Sequence, residues 1–261
     1  MDPIFKDTVA LVTGAAGAIG KGIAADFCRC GAKVFITDLD QNGVDAAVQE
    51  ISAAGGSCAG LAADVTSAGQ VAAVVEAANA FGGRIDFLVN VAGVVGQGKV
   101  EDLTEEEWDR MFAVNCKGSF LFIKHVVPLM KARKRGRIVN FSSKSGKTGS
   151  ALMAHYSAAK AAIIGLTQAL AFELAGDGIT VNCLCPGITE STGVWSHVSS
   201  GYIKNLGLPR DEVVKKFTSK VPLGRLASIA DVVAVTRFLA SPGADYMTGQ
   251  AINVTGGREM H

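Results

Sequence analysis

Short apolar runs and longer amphipathic stretches take turns along the 261-residue chain. Thr8 to Val12, Lys33 to Thr37, 57–63, 85–90, Gly136 to Ser142, Ile179 to Cys185 and Ala251 to Val254 are rich in small and β-branched apolar residues. Such runs read as strands buried on both faces. Between them, 21–30, 42–54, 67–81, 104–133, a stretch from Tyr156 to about Ala175, and 229–240 read as helices packed along one side. Strand and helix in regular alternation imply parallel strands joined by helical crossovers. The expected fold is therefore α/β: one Rossmann-like, doubly wound parallel sheet of about seven strands, with helices on both faces. Thr104-Glu105-Glu106-Glu107 is a capping-box signature that opens the longest helix, with a bend expected at Pro128. From Glu190 to Val221 the periodicity lapses, which marks a substrate lid inside a single domain spanning 1–261.

Composition agrees with this pattern. Hydrophobic residues make up 49%, there are 31 glycines, and charged residues stand at 19%, which suits buried strands and many tight turns. A net charge of +1 leaves no electrostatic case for a nucleic-acid partner or an anionic membrane. The start, Met1-Asp2-Pro3-Ile4-Phe5-Lys6-Asp7, has neither a basic nor an apolar export region, and no run approaches the ~18 apolar residues of a membrane span. The expected location is cytoplasmic. The six cysteines match no common zinc spacing, so no metal site is expected and the thiols read as reduced core residues.

Candidate chemistry lies at the strand ends. Thr13-Gly14-Ala15-Ala16-Gly17-Ala18-Ile19-Gly20 joins the first strand to the first helix. Glycines there let backbone N–H groups approach a pyrophosphate at the helix start. Asp38 closes the second strand, where a carboxylate can bind both ribose hydroxyls of NAD and repel the 2′-phosphate of NADP. Residues 15, 16 and 39 carry no positive charge to offset that repulsion. Asp64 stands where it can meet an adenine amino group, and Asn90-Val91-Ala92-Gly93 follows the fourth strand. Asn115 lies in a predicted helix interior, which disfavours asparagine, so its amide is either solvated or used. Tyr156 and Lys160 are one helical turn apart. An ammonium beside the phenol favours the ionised form. Lowering its pKa by roughly three units corresponds to about 4 kcal/mol and makes the phenol a usable general acid and base. Ser143, at the end of the preceding strand, is placed to bind the same substrate oxygen.

Taken together, Thr13 to Gly20, Asp64, Asn90 to Gly93, Asn115, Ser143, Tyr156, Lys160 and Pro186-Gly187 resemble the short-chain dehydrogenase/reductase family over essentially the whole chain. Ser143 to Lys147, Tyr156 to Lys160, Lys220 to Leu223 and Thr248 to Gly257 resemble its polyol dehydrogenase branch, which includes sorbitol-6-phosphate 2-dehydrogenase. The resemblance implies Tyr156 as acid/base, Lys160 lowering its pKa and holding the nicotinamide ribose, Ser143 polarising the substrate oxygen, and Asn115 steadying a water in a proton relay. It implies an NAD site at Gly14, Gly17, Ala18, Ile19, Gly20, Asp38, Leu39, Asp64, Val65, Asn90, Ala92, Gly93, Tyr156, Lys160, Pro186 and Gly187. Thr189, Ser191 or Thr192 would contact the carboxamide. Ala18 stands where the family's middle glycine falls and Val91 where a second asparagine is usual, so a slightly altered turn is expected.

The implied activity is hydride transfer between NAD and a secondary alcohol or ketone, a polyol or polyol phosphate, by a homotetramer. The alternatives are a reductase of another carbonyl class, such as a 3-oxoacyl thioester or steroid, and a non-catalytic dinucleotide-binding protein. Lys144, next to Ser143, and a basic lid favour an acidic or phosphorylated substrate. Candidate substrate contacts are Lys144, Met153 and Trp195.

Overall fold

The computed structural model describes residues 3–193 and 209–260. Its strands are β1 (Val9–Thr13), β2 (Lys33–Thr37), β3 (Ser57–Gly60), β4 (Phe87–Asn90), β5 (Gly136–Phe141), β6 (Ile179–Pro186) and β7 (Ala251–Val254). They form one parallel sheet in the order β3-β2-β1-β4-β5-β6-β7. The helices are α1 (Ala18–Arg29), α2 (Gln41–Ala53), α3 (Ala68–Gly82), α4 (Glu105–Phe112), α5 (Gly118–Ala132), α6 (Lys144–Thr148), α7 (Ala154–Leu174), α8 (Arg210–Thr218) and α9 (Ile229–Ala240).

Successive strand residues point to opposite faces, and both faces are apolar. Ala10, Val12, Val34, Ile36, Val89 and Val139 pack with Ile23 and Phe27 of α1, Val44 of α2 and Val232 of α9. Their neighbours Leu11, Phe35, Leu88 and Ile138 pack on the other face with Val74 of α3, Phe122 and Val126 of α5 and Leu174 of α7. Phe5, Phe27 and Phe87 close one end, with ring centroids 4.8 to 5.8 Å apart. The doubly wound sheet expected from the alternation is the one observed.

Four local expectations are corrected. β3 ends at Gly60, short of residue 63: a Cβ there would stand 2.6 Å from Val44 and 2.8 Å from Ile36, so the edge strand presses on its neighbours and then leaves the sheet. β4 starts at Phe87 because the Asp86 carboxylate, rather than a carbonyl, accepts from Val9 N at 2.8 Å. The single helix expected over 104–133 is divided: α4 and α5 flank a π-helical turn, Ala113–Lys117, while Pro128 sits inside α5. The lid is not wholly irregular, since α8 falls within it; Trp195 lies outside the described residues. A further correction concerns α7. With its extension, Ala154–Asp177 is long and apolar enough to cross a membrane by length and composition, yet it is a helix of this domain and carries buried Tyr156, Lys160 and Thr167.

Strand order reverses between β1 and β4, the position at which open α/β sheets collect ligands. Thr13 pairs with Asn90 across that boundary, and the Thr13 hydroxyl accepts from Val91 N and Ala92 N, both at 3.1 Å. The glycine turn above it has two obligatory glycines. Gly14 adopts φ +67°, and a Cβ on it would stand 2.7 Å from Ala92 N. A Cβ on Gly20 would stand 2.3 Å from the Gly14 carbonyl oxygen. Gly17 is the extended N-cap of α1 (φ −75°, ψ 156°) and Ala18 begins the helix, so alanine at 18 fits without distortion. Gly14→Ala should therefore destabilise the protein by about 2 kcal/mol or more through strain and clash, and Gly17→Ala by less than half of that. Urea denaturation of the two variants checks this ordering.

Candidate active site

β5 and α7 bring the proton-transfer candidates together. Ser143 ends the β5 segment as the N-cap of α6, its hydroxyl accepting from Ser145 N at 3.1 Å. Ser143 is also close enough to the Tyr156 phenol to favour its ionised form. One turn along α7, Lys160 is 4% exposed and its ammonium donates to the Phe141 carbonyl at 2.9 Å. The same ammonium lies 5.8 Å from the centroid of the Tyr156 ring. Two contacts dock α7 at this level: the Ser142 hydroxyl donates to the Lys160 carbonyl at 2.7 Å, and Gly146 leaves room where a Cβ would stand 2.7 Å from the Lys160 carbonyl carbon. Phe141, Ser142 and Gly146, near one strand end, thus fix the lysine's depth.

The electrostatics differ from the expectation for the phenol. Burial pushes the Tyr156 phenol up, and the hydrogen bond from Ser143 only partly offsets it. Burial likewise lowers Lys160, to about 8. In the protein alone, both groups are desolvated and both are driven toward their neutral forms.

Asn115 lies in the π-helical turn and is buried. Its amide nitrogen donates to the carbonyls of Val94 at 2.9 Å and Met111 at 3.1 Å, while Oδ1 is buried with no hydrogen-bond partner. A Cβ on Gly93 would stand 2.5 Å from that Oδ1 and 3.3 Å from the Lys160 ammonium. Gly93 therefore keeps open the space that the asparagine oxygen and the lysine share. A π turn sets its side chains off the ordinary helical register, a feature common at functional sites.

The dinucleotide candidates line the carboxyl ends of β1, β2 and β4. Asp38 anchors the glycine turn, its carboxylate accepting from Ala16 N at 2.9 Å and from Leu39 N at 2.7 Å. Leu39 is exposed beside it. The Oδ1 of Asp64 accepts from Thr66 N and Thr66 Oγ1, both at 2.8 Å, and Val65 beyond it is buried. Asn90 donates to Asn140 at 2.9 Å, and Asn140 in turn donates to Thr167 at 3.0 Å. This buried amide relay ties β4 through β5 to α7, and two of its members, Asn140 and Thr167, belong to no local motif. Gly187 N bonds Val254 O at 3.0 Å. Among the carboxamide candidates, Thr189 and Thr192 are buried, whereas Ser191 is exposed with φ +58°.

Of the substrate candidates, Met153 is buried with Met111 and Tyr156. Lys144 is largely buried rather than solvated, donating to Ser150 at 3.0 Å and lying 3.8 Å from Glu259. Reading the sequence missed Glu259 and Arg258, which lie more than a hundred residues from Lys144 and carry no motif.

Comparison with known proteins places this geometry. A family model described as enoyl-(acyl carrier protein) reductase, within the short-chain dehydrogenases, matches residues 14–259. Galactitol 2-dehydrogenase of Agrobacterium fabrum is 40% identical over 257 residues, covering 98% of this chain and 99% of that protein. Sorbitol dehydrogenase of Cereibacter sphaeroides is 36% identical over 252 residues, covering 96% and 97%. The crystal structure of a variant of actinorhodin polyketide ketoreductase with NADPH superposes with a TM-score of 0.95 at 36% identity, covering all of both chains. The glycine turn at the sheet's switch point, the serine and buried tyrosine beside a buried lysine, and these full-length matches have one account: the chain belongs to the short-chain dehydrogenase/reductase family and is an oxidoreductase that binds a nicotinamide dinucleotide and a small-molecule substrate.

Proposed function

We propose that the protein is an NAD-dependent dehydrogenase that oxidises a secondary hydroxyl of a polyol or polyol phosphate and, in reverse, reduces the ketone. One observation carries the reading: the buried Tyr156 phenol, which the Ser143 hydroxyl draws toward its ionised form, lies one helical turn from a buried ammonium that donates to Phe141 O at 2.9 Å. The dinucleotide would lie against the turn in which Gly14 and Gly20 let backbone segments pack closely, with Gly93 leaving room beside Asn115 and Lys160. When bound, it supplies or accepts the hydride and, oxidised, adds positive charge to the cleft. Ser143 orients the substrate oxygen, and Tyr156 takes its proton on oxidation and returns one on reduction. Lys160 favours the phenolate and holds the ribose. The unpartnered oxygen of Asn115 steadies the water through which the lysine exchanges protons with solvent. Met153 borders the substrate beside Tyr156.

Asp38 supports NAD as the preferred cofactor, because its carboxylate sits at the end of β2 against the glycine turn and would face a 2′-phosphate without a neighbouring cation. The second reading, an NADPH-dependent ketoreductase of the polyketide type, is favoured by the ketoreductase superposition and by relatives described as ketoacyl reductases of polyketide synthases at 40% and 38% identity. Polyol dehydrogenases at 40% and 36% identity support the first. A homotetramer is proposed from the apolar helix faces left open: Phe172 of α7 is 90% exposed, and Phe120 and Trp108 are also exposed. Six free thiols accord with a reducing, cytoplasmic setting.

Three outcomes are expected. Tyr156→Phe should lower kcat for NAD reduction over a panel of polyols and their phosphates by about a thousandfold or more, since the proton acceptor is removed. Full turnover in that variant would refute the mechanism. Oxidation needs the phenolate and reduction needs the phenol, so kcat/KM should rise with pH for the alcohol and fall with pH for the ketone; pH profiles run in both directions check the sign. Wild-type enzyme should prefer NADH to NADPH by about a hundredfold, and Asp38→Ala should reduce that preference by at least about tenfold. A strong preference for NADPH would move the protein to the ketoreductase reading.

A further inference from the structure

Lys144 lies one residue past Ser143, yet its side chain is only 14% exposed and the carboxylate it faces comes from the far end of the chain. Glu259 Oε1 stands 3.8 Å from Lys144 and 3.3 Å from Arg258 Nε. Both are largely buried, with side-chain exposures of 8% for Glu259 and 18% for Arg258. Arg258 also lies over the Phe217 ring of α8, 5.7 Å from its centroid, and lines a small cleft with Gly187, Val221, Arg225 and Thr255. The tail is held in place rather than draped: Asn253 and Thr255 donate to the Glu259 carbonyl at 3.1 and 3.2 Å, and Glu259 N donates back to Thr255 at 3.3 Å.

We propose that Lys144, Arg258 and Lys220 form a subsite for an oxyanion carried by the substrate, with Glu259 as its internal counter-ion. This deepens the polyol reading and rests on it. Glu259 faces two cations, Lys144 and Arg258, and the charge of Lys220 also acts on Lys144. Burial holds the Lys144 ammonium below its usual value, the two neighbouring cations push the same way, and Glu259 only partly opposes them. A partly buried site with positive charge in excess of its carboxylate gains from an anion that accepts charge-assisted hydrogen bonds. Hydroxyl donors stand beside it, since Ser150 meets Lys144 at 3.0 Å and Ser145 at 2.8 Å. The remaining oxygen of Glu259, Oε2, is buried without a hydrogen-bond partner, which leaves an acceptor for a substrate hydroxyl next to the anion. A phosphate monoester or a carboxylate of a polyhydroxy compound carries both groups. Position supports the role: the subsite begins next to the serine that binds the reacting oxygen, so the anion would anchor the end of the substrate remote from the chemistry.

The test is calorimetric titration of inorganic phosphate into the NADH-loaded enzyme, so that the cofactor's own phosphate contacts are already filled, with wild type, R258Q, K144Q and E259Q compared. R258Q and K144Q should each weaken phosphate binding about tenfold, while E259Q, which removes the competing negative charge, should strengthen it. A merely structural role for these residues predicts weakening in all three, or no change in any, and either pattern overturns the proposal. Initial rates give a second readout. In R258Q the kcat/KM preference for a polyol phosphate, or for a polyhydroxy acid, over the parent polyol should fall about tenfold, chiefly through KM. Whichever ester or acid shows the loss identifies the anion, and unchanged preference for both overturns the proposal. If no polyol or derivative is turned over while Arg258-dependent phosphate binding persists, the substrate reading fails and the subsite stands.

Discussion

A charged amine sealed beneath the carboxyl end of β5 is the constraint around which the rest of the site is built. Leaving an ammonium without water costs several kcal/mol unless it is hydrogen-bonded, and here the chief compensation is one backbone carbonyl, that of Phe141. That carbonyl is available because β5 has just ended and the chain is turning into α6. The amine reaches it because α7 is pressed against the strand end by the Ser142 hydroxyl and by the missing side chain of Gly146. Shifting α7 by a fraction of a turn would strand the ammonium and separate Tyr156 from Ser143 together. The lysine's anchor and the placing of Tyr156 beside Ser143 thus depend on the same docking of α7.

The second half of the site is organised by absence of side chains. Gly14 and Gly20 permit backbone approaches that a Cβ would block, Gly93 keeps room beside Asn115 and Lys160, and all three lie near the switch point where β1 meets β4. Thr13 spans that boundary, and the Asn90–Asn140–Thr167 relay carries the same alignment across to α7. The proposed dinucleotide site and the proposed proton-transfer group therefore share one frame, as expected when a parallel sheet directs several strand ends to the same crevice. Phenol and lysine in the protein alone are both pushed toward neutrality by burial. Such a site gains most from added charge, because the dry surroundings that penalise an isolated ion also strengthen its attraction to a partner.

Much of this was legible in one dimension. Strands buried on both faces must be apolar throughout, and helices packed on one side must be amphipathic, so their alternation fixes the sheet's class and its crossovers. The spacing of Tyr156 and Lys160 fixes a shared helix face, and Gly14 before a helix fixes a tight turn. What escaped has a common physical cause: it depends on groups far apart in the chain or on hydrogen-bond register. Nothing in the periodicity of 104–133 separates an α from a π turn at Asn115, because both keep an apolar side toward the sheet. Ala18 looked like a departure, yet it occupies an ordinary helical position, and only coordinates reveal that Gly14 and Gly20 carry the close approaches.

The direction of the Tyr156 shift and the setting of Lys144 make the same distinction most sharply. The sequence by itself determined which residue types stand within one helical turn or one strand end of each other, since covalent spacing and regular geometry leave little choice. Only the tertiary structure decided how dry each group is and which distant charge it meets. It buried the phenol enough to outweigh its favourable neighbours, and it brought Arg258 and Glu259 from the far end of the chain to Lys144. Desolvation and long-range charge are properties of enclosure, and enclosure exists only once the whole sheet and its helices have packed.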